Sequence, residues 1–110
     1  MPKVATINDI LKGAKKYLPH LNTERIQAAY EFARDAHEGQ ERNSGEPYIQ
    51  HPLEVANILL TLKPDEDSII AALLHDVLED TKKTADDIEK RFGKEVIPLL
   101  TGLEKLGKVY

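Results

Sequence analysis

The 110-residue chain has no cysteine. That excludes disulfide bridges and thiolate zinc sites, and it fits a reducing cytoplasm. It has no tryptophan and one methionine, neither of which bears on function. Long apolar runs are missing too. No segment approaches the roughly 18 consecutive apolar residues of a membrane span, and the opening "MPKVATINDILKGAKK" lacks the apolar stretch of a signal peptide. Basic excess is also absent. Fifteen Lys and Arg face nineteen Asp and Glu, giving a net charge of −4 and a pI near 5.5. A general binder of nucleic-acid backbone would normally be basic. A small anionic ligand held through a metal ion is still compatible with this charge.

What remains is an ordinary soluble composition, 41% apolar and 31% charged. The length suits one domain, residues 1–110, with a small core. The apolar periodicity is helical throughout, with no sustained strand-like alternation. It predicts a first helix over Ile7–Leu18, stopped by Pro19, and a second from a Thr23 cap to His37, with Ile26, Ala29, Tyr30, Ala33 and Ala36 facing the core. The polar, glycine-bearing "EGQERNSGEPY" of residues 38–48 reads as a loop, long enough for a small helical domain to suggest a functional one.

His51–Pro52 opens a third helix reaching Leu62, burying Leu53, Ala56, Ile58, Leu59 and Leu60. A fourth spans Glu66 to Leu78 or slightly beyond. Thr84 with Asp87 resembles a capping box for a short fifth helix ending near Arg91. Gly93 breaks it, and a last helix from Lys94 carries Val96, Ile97, Leu99, Leu100, Leu103 and Leu106.

Chemistry concentrates in "ALLHDVLEDT", residues 72–81. On a continuous helix turning about 100° per residue, with His75 as origin, Asp76 falls at about 100°, Glu79 at about 40° and Asp80 at about 140°. The four share one face beside the apolar face of Ile69, Ile70, Leu73, Leu74 and Val77. Imidazole and carboxylate at a core edge suit a divalent ion such as manganese, zinc or iron. Two ligands are too few, and His51, at the mouth of the third helix, is the third candidate. Glu79 and Asp80 then orient or deprotonate water near the ion. Plainer readings compete: an "HD" pair is common, Glu79 and Asp80 suit a solvated helix end, and His51 suits a core-edge histidine bonded to backbone. His20, in a turn, and His37, at a helix end, read as structural.

Taken together, "AHEGQERNSGEPYIQHPLEVANIL" (residues 36–59) and "IIAALLHDVLEDTKKTADDIEKRFGKEV" (residues 69–96) resemble the hydrolase domain of RelA/SpoT-type alarmone enzymes, members of the HD-type metal phosphohydrolases. The separation of His51 and His75 also fits, and the likeness runs over roughly Thr23–Leu106. It implies an all-α HD-domain bundle of about five to six helices. It implies manganese-dependent removal of the 3′-pyrophosphate of the guanosine nucleotide (p)ppGpp, yielding GDP or GTP.

By matching positions, the resemblance makes His51, His75 and Asp76 metal ligands, and Glu79 and Asp80 the acidic pair that activates water. Arg42, Asn43 and Ser44 fall where the nucleotide is contacted, in a loop shaped by Gly45 and Pro47. Asn43 replaces a lysine of many relatives, and Thr101 and Glu104 replace an aspartate and a threonine. The family's fourth ligand, an aspartate, and a nucleotide-contacting asparagine belong beyond Tyr110, as do synthetase and regulatory domains. The bundle is therefore expected to be incomplete at its C-terminal side. The isolated chain is expected to have low or no activity and an apolar surface open to self-association. The competing functions are a non-catalytic helical module binding nucleotide or a protein partner, and an HD phosphohydrolase with another nucleotide substrate. The loop "RNSGEPYIQHP" argues against the last.

Overall fold

A computed structural model describes residues 6–41 and 45–109; for Glu79 and residues 103–109 it describes the backbone alone. The sequence builds helices because strong local stop and start signals punctuate it. Thr6 begins α1 (Ile7–Lys15) with a reciprocal capping box to Asp9, and Asn22 caps α2 (Thr23–Ala36) through the Arg25 amide. The loop that follows closes on itself at an isolated Glu41–Pro47 bridge, with Gly45 at φ 87°. Next come α3 (Gln50–Leu59), a 3₁₀ turn (Leu60–Leu62) and α4 (Glu66–Leu74), which Asp65 caps through Ser68. The one-turn α5 (Val77–Asp80), α6 (Ala85–Phe92) and α7 (Val96–Val109) complete the chain. The fold is all-α, as expected.

Helix α4 is the hub, with α2, α3 and α7 packed against it. Six consecutive residues, Ile69–Leu74, are buried all round. Such a helix is held by packing on every side rather than by one apolar stripe. Around it lie Ile10 and Ala14 of α1, Ile26, Ala29 and Ala33 of α2, Leu53 and Ala56 of α3, and Val77, Ile88, Phe92, Val96 and Leu100. Arg25 locks the start of α4 in place. It binds Glu66 at 2.8 Å and Asp67 at 2.6 Å and also donates to the Phe92 carbonyl at the end of α6.

Several boundaries differ from the sequence expectation. α1 stops at Lys15 rather than Leu18, because the Tyr17 and Leu18 amides both turn back to the Ala14 carbonyl ahead of Pro19. The third helix tightens to 3₁₀ geometry from Leu60 and ends on left-handed Lys63, φ 52°. This helix also starts one residue early, at Gln50, and the last helix starts at Val96 rather than Lys94. Ile58, expected in the core, is 68% exposed, and Leu62 is 77% exposed. α3 turns its Leu53–Ala56 side inward, and Ile58 stands on the opposite side. Leu103 and Leu106 lie outside the described side chains. Thr84 and Asp87 form the expected capping box, and Gly93 at φ 97° ends α6 in a conformation a Cβ would strain.

The expected continuous fourth helix is divided. His75 and Asp76 form a turn between α4 and α5, with Asp76 at φ −96°, ψ −4°. The His75 imidazole explains the break: its Nδ1 lies 2.6 Å from the Ala72 carbonyl, an acceptor that a continuous helix offers to the amide four residues on. Asp80 and Thr81 amides then restart helical bonding to the Asp76 and Val77 carbonyls.

Candidate metal centre

Two elements deliver the candidate ligands. α3 presents His51 from its first turn, and the α4–α5 turn presents His75 and Asp76. One donor atom from each residue lies within 4.8 Å of the other two. Asp76 Oδ2 is 3.1 Å from His75 Nε2 and 3.4 Å from His51 Nε2, and the two imidazole rings are 5.3 Å apart. The site is sheltered at the core edge, with side-chain exposures of 13% for His75, 16% for Asp76 and 35% for His51.

This donor set fits a divalent ion. Ligand atoms about 2.1 Å from one ion stand roughly 3.0–3.5 Å apart, the spacing seen from Asp76 to both imidazoles. His75 is also oriented as ligating histidines are: the Ala72 carbonyl holds Nδ1, which leaves Nε2 for the site. The electrostatics agree. Burial works against a charged His75, but the Asp76 hydrogen bond, the Ala72 carbonyl and the charges of Asp76 and Asp80 outweigh it and raise its pKa above the usual imidazole value. Burial likewise opposes Asp76 ionisation, yet contacts with His75, Tyr48 and His51 hold its carboxyl below the usual carboxylate range. Positive charge is thus favoured at the point where the three side chains meet.

Tyr48, which the sequence reading passed over, joins this cluster. Its hydroxyl is 3.0 Å from Asp76 Oδ2 and 2.9 Å from Asp80 Oδ2, so Asp80 is tied to the cluster through it. Burial, then the two acids, push the phenol pKa well up, so it stays protonated. His37 stacks on the Tyr48 ring at 4.5 Å and is 2% exposed; its Nε2 has no hydrogen-bond partner among the described residues. Its Nδ1 is 3.3 Å from Gln40 Oε1, and Gln40 Nε2 donates to the Asp80 carbonyl at 2.7 Å. The available signal was spacing. Tyr48 precedes His51 by three residues, and such pairs adjoin on a helical turn. Nothing in the sequence joins Gln40 to Asp80 across forty positions.

The structure brings His51, His75, Asp76 and Asp80 together. The side chain of Glu79 and the whole of Arg42, Asn43 and Ser44 lie outside the described residues. His20 stands apart, exposed in the turn before α2.

Residues 29–110 match the HD domain family. The chain belongs to that family, as a relative of its RelA/SpoT-type members. It is 55% identical over 93 residues to the bifunctional (p)ppGpp synthase/hydrolase SpoT of Escherichia coli K12, covering 84% of this chain and 13% of that protein. It is 49% identical over 107 residues to the guanosine-3′,5′-bis(diphosphate) 3′-pyrophosphohydrolase of Aquifex aeolicus, covering 97% of this chain and 15% of that protein. A solved structure of a metazoan SpoT orthologue, described as hydrolysing ppGpp with a role in starvation responses, superposes with a TM-score of 0.65 at 36% identity, covering 70% of this chain and 46% of that one. The chain therefore spans about a seventh of the length of these curated relatives.

Proposed function

We propose that this chain is a divalent-metal phosphohydrolase domain acting on the 3′-pyrophosphate of (p)ppGpp, with manganese as the ion. The observation that carries the reading is the meeting of three ligand atoms within 4.8 Å, one of them on an imidazole whose other nitrogen is held by backbone. His51, His75 and Asp76 would hold the ion. When bound, it supplies Lewis acidity, which acidifies water and neutralises phosphoryl charge.

The chain's own residues do the remaining work. Asp80, with Glu79 beside it in sequence, takes the proton from the attacking water. The water oxygen bonds to the phosphorus on the ribose 3′-oxygen, that P–O bond breaks, and the 3′-oxygen recovers a proton as pyrophosphate leaves. Arg42, Asn43 and Ser44 contact the nucleotide, with the Arg42 guanidinium stacking on the base or pairing with phosphate. The sheltered position of His75 and Asp76 limits competing water and strengthens electrostatic contacts.

The activities of these relatives support this substrate class. Among the described residues no helix is long and apolar enough to cross a membrane. We assign the chain to the cytoplasm on its lack of cysteine, and give it no nucleic-acid partner on its net charge of −4. Self-association would use the groove lined by Leu59, Leu62, Pro64, Ala71, Pro98 and Leu99. Monomeric light scattering at high concentration would count against that use.

The test is metal content and turnover together. Purified chain should bind Mn²⁺ and release pyrophosphate from (p)ppGpp, with turnover low in the isolated chain. Stoichiometric metal without turnover on any nucleotide in a substrate panel would favour a non-catalytic module. Absence of metal binding by a well-folded chain would sink the reading.

A further inference from the structure

We infer that Tyr48 is a positioning residue that holds the Asp80 carboxylate in register with the His51–His75–Asp76 cluster through one shared hydroxyl; this rests on the metal-site reading above. A phenol has a single proton to donate. Here two carboxylate oxygens, Asp76 Oδ2 at 3.0 Å and Asp80 Oδ2 at 2.9 Å, stand within reach of it. Both distances lie at the long end for O–H···O bonds, as expected where one donor serves two acceptors. The hydroxyl therefore links a candidate metal ligand directly to the acid proposed to take up the proton.

The ring that carries this hydroxyl is fixed independently of it. His37 stacks on one side at 4.5 Å, and the His51 ring meets Tyr48 near edge-on, its centroid 6.0 Å away. The Tyr48 amide donates to the Gln40 carbonyl at 3.1 Å, while the Gln40 side chain reaches the Asp80 carbonyl. Main chain and side chain of Tyr48 are thus both referred to the end of α5, the segment that bears Asp80. Asp80 is otherwise exposed, and an exposed carboxylate on a one-turn helix has many rotamers to choose from. A single hydroxyl donated from a rigid ring restricts that choice.

The first experiment needs neither metal nor substrate. With tyrosine labelled at ¹³Cζ, both Asp80→Asn and Asp76→Asn should move the Tyr48 resonance. The Tyr17 resonance, whose hydroxyl donates to the Pro64 carbonyl at 2.8 Å, should stay in place. If neither substitution moves Tyr48, the bridge does not exist and the inference is overturned.

The second experiment is Tyr48→Phe, which keeps the ring and its stacking. Mn²⁺ affinity measured by calorimetry should fall about tenfold, the usual range for an outer partner of a metal ligand. In turnover, kcat should fall with KM little changed, and Tyr48→Phe/Asp80→Asn should be no slower than Asp80→Asn alone, because residues acting as a unit are not additive. Unaltered Mn²⁺ affinity together with fully additive losses would overturn the inference. If the unaltered chain takes up no Mn²⁺ while both substitutions still shift Tyr48, the metal reading fails and the bridge stands.

Discussion

Residues Ile69–Leu74 are sealed in the core on every side, whereas the next two residues, His75 and Asp76, leave the helix and turn polar groups toward a common point. The two stretches are covalent neighbours with opposite requirements. The first maximises apolar burial. The second places a carboxylate and an imidazole at a sheltered edge, which is costly for charged groups unless they are paired. The lesson is that the rigid stretch aims the reactive one. α4 is packed by α2, α3 and α7 and pinned at its start by Arg25, so its far end cannot wander. The turn at His75–Asp76 inherits that precision.

Separate failures of the two stretches would sharpen this contrast. The largest effect should come from Asp76→Ala. Removing a ligand should weaken Mn²⁺ binding by on the order of a hundredfold or more, above the tenfold to hundredfold cost of an outer partner. Calorimetry reads the loss, and circular dichroism should show the fold retained. Leu73→Ala strikes the sealed stretch instead and should cost about 2–5 kcal/mol in urea unfolding. The metal affinity of the molecules still folded should be unchanged. If Leu73→Ala weakened metal binding as much as Asp76→Ala, the division of labour would be wrong.

A milder contrast separates the core from its helix caps. Thr84→Ala removes the oxygen that accepts from the Asp87 amide at the start of α6 and should cost about 1 kcal/mol in the same unfolding measurement.

pH should separate the two central histidines by sign in metal-free protein. His37 has its pKa lowered, chiefly by burial, so the neutral form is favoured in the fold. Its contribution is present above the unfolded histidine value, about 6.5, and is lost as pH falls through the folded value. His75 has its pKa raised, burial being outweighed by Asp76, the Ala72 carbonyl and Asp80. Its contribution is complete below about 6.5 and is lost as pH rises through the folded value. His37→Phe should therefore remove a loss of stability on acidification, and His75→Gln should remove a loss on going alkaline. Urea midpoints from pH 5 to 8 check both slopes.

The smallest effect belongs to the exposed Arg34–Asp35 pair, 3.3 Å apart. Arg34→Ala should leave the urea midpoint unchanged within error.

Much of this was legible from residues alone, because helix signals are local. The Thr84–Asp87 box, the acidic start of α4 and the burial of Leu53 and Ala56 follow from side chains within a few positions of one another. The break at His75 was not legible. Treated as continuous, the helix puts His75 and Asp76 about 100° apart. The side chain capturing the Ala72 carbonyl is what ends the helix and lets the two converge. Ile58 misled for a related reason: an apolar residue on a periodic helix reads as core until the packed face is known.

The sequence by itself determined that the chain is helical, where most helices begin, and which imidazoles and carboxylates are candidates for chemistry, since capping, periodicity and side-chain type act over short range. Only the tertiary structure decided which of those groups meet. His51 stands in the first turn of α3 and His75 in the turn after α4, and the Tyr48 hydroxyl reaches Asp80 thirty-two positions on. Distances between segments depend on how a buried helix is packed by its neighbours, and no local pattern encodes that.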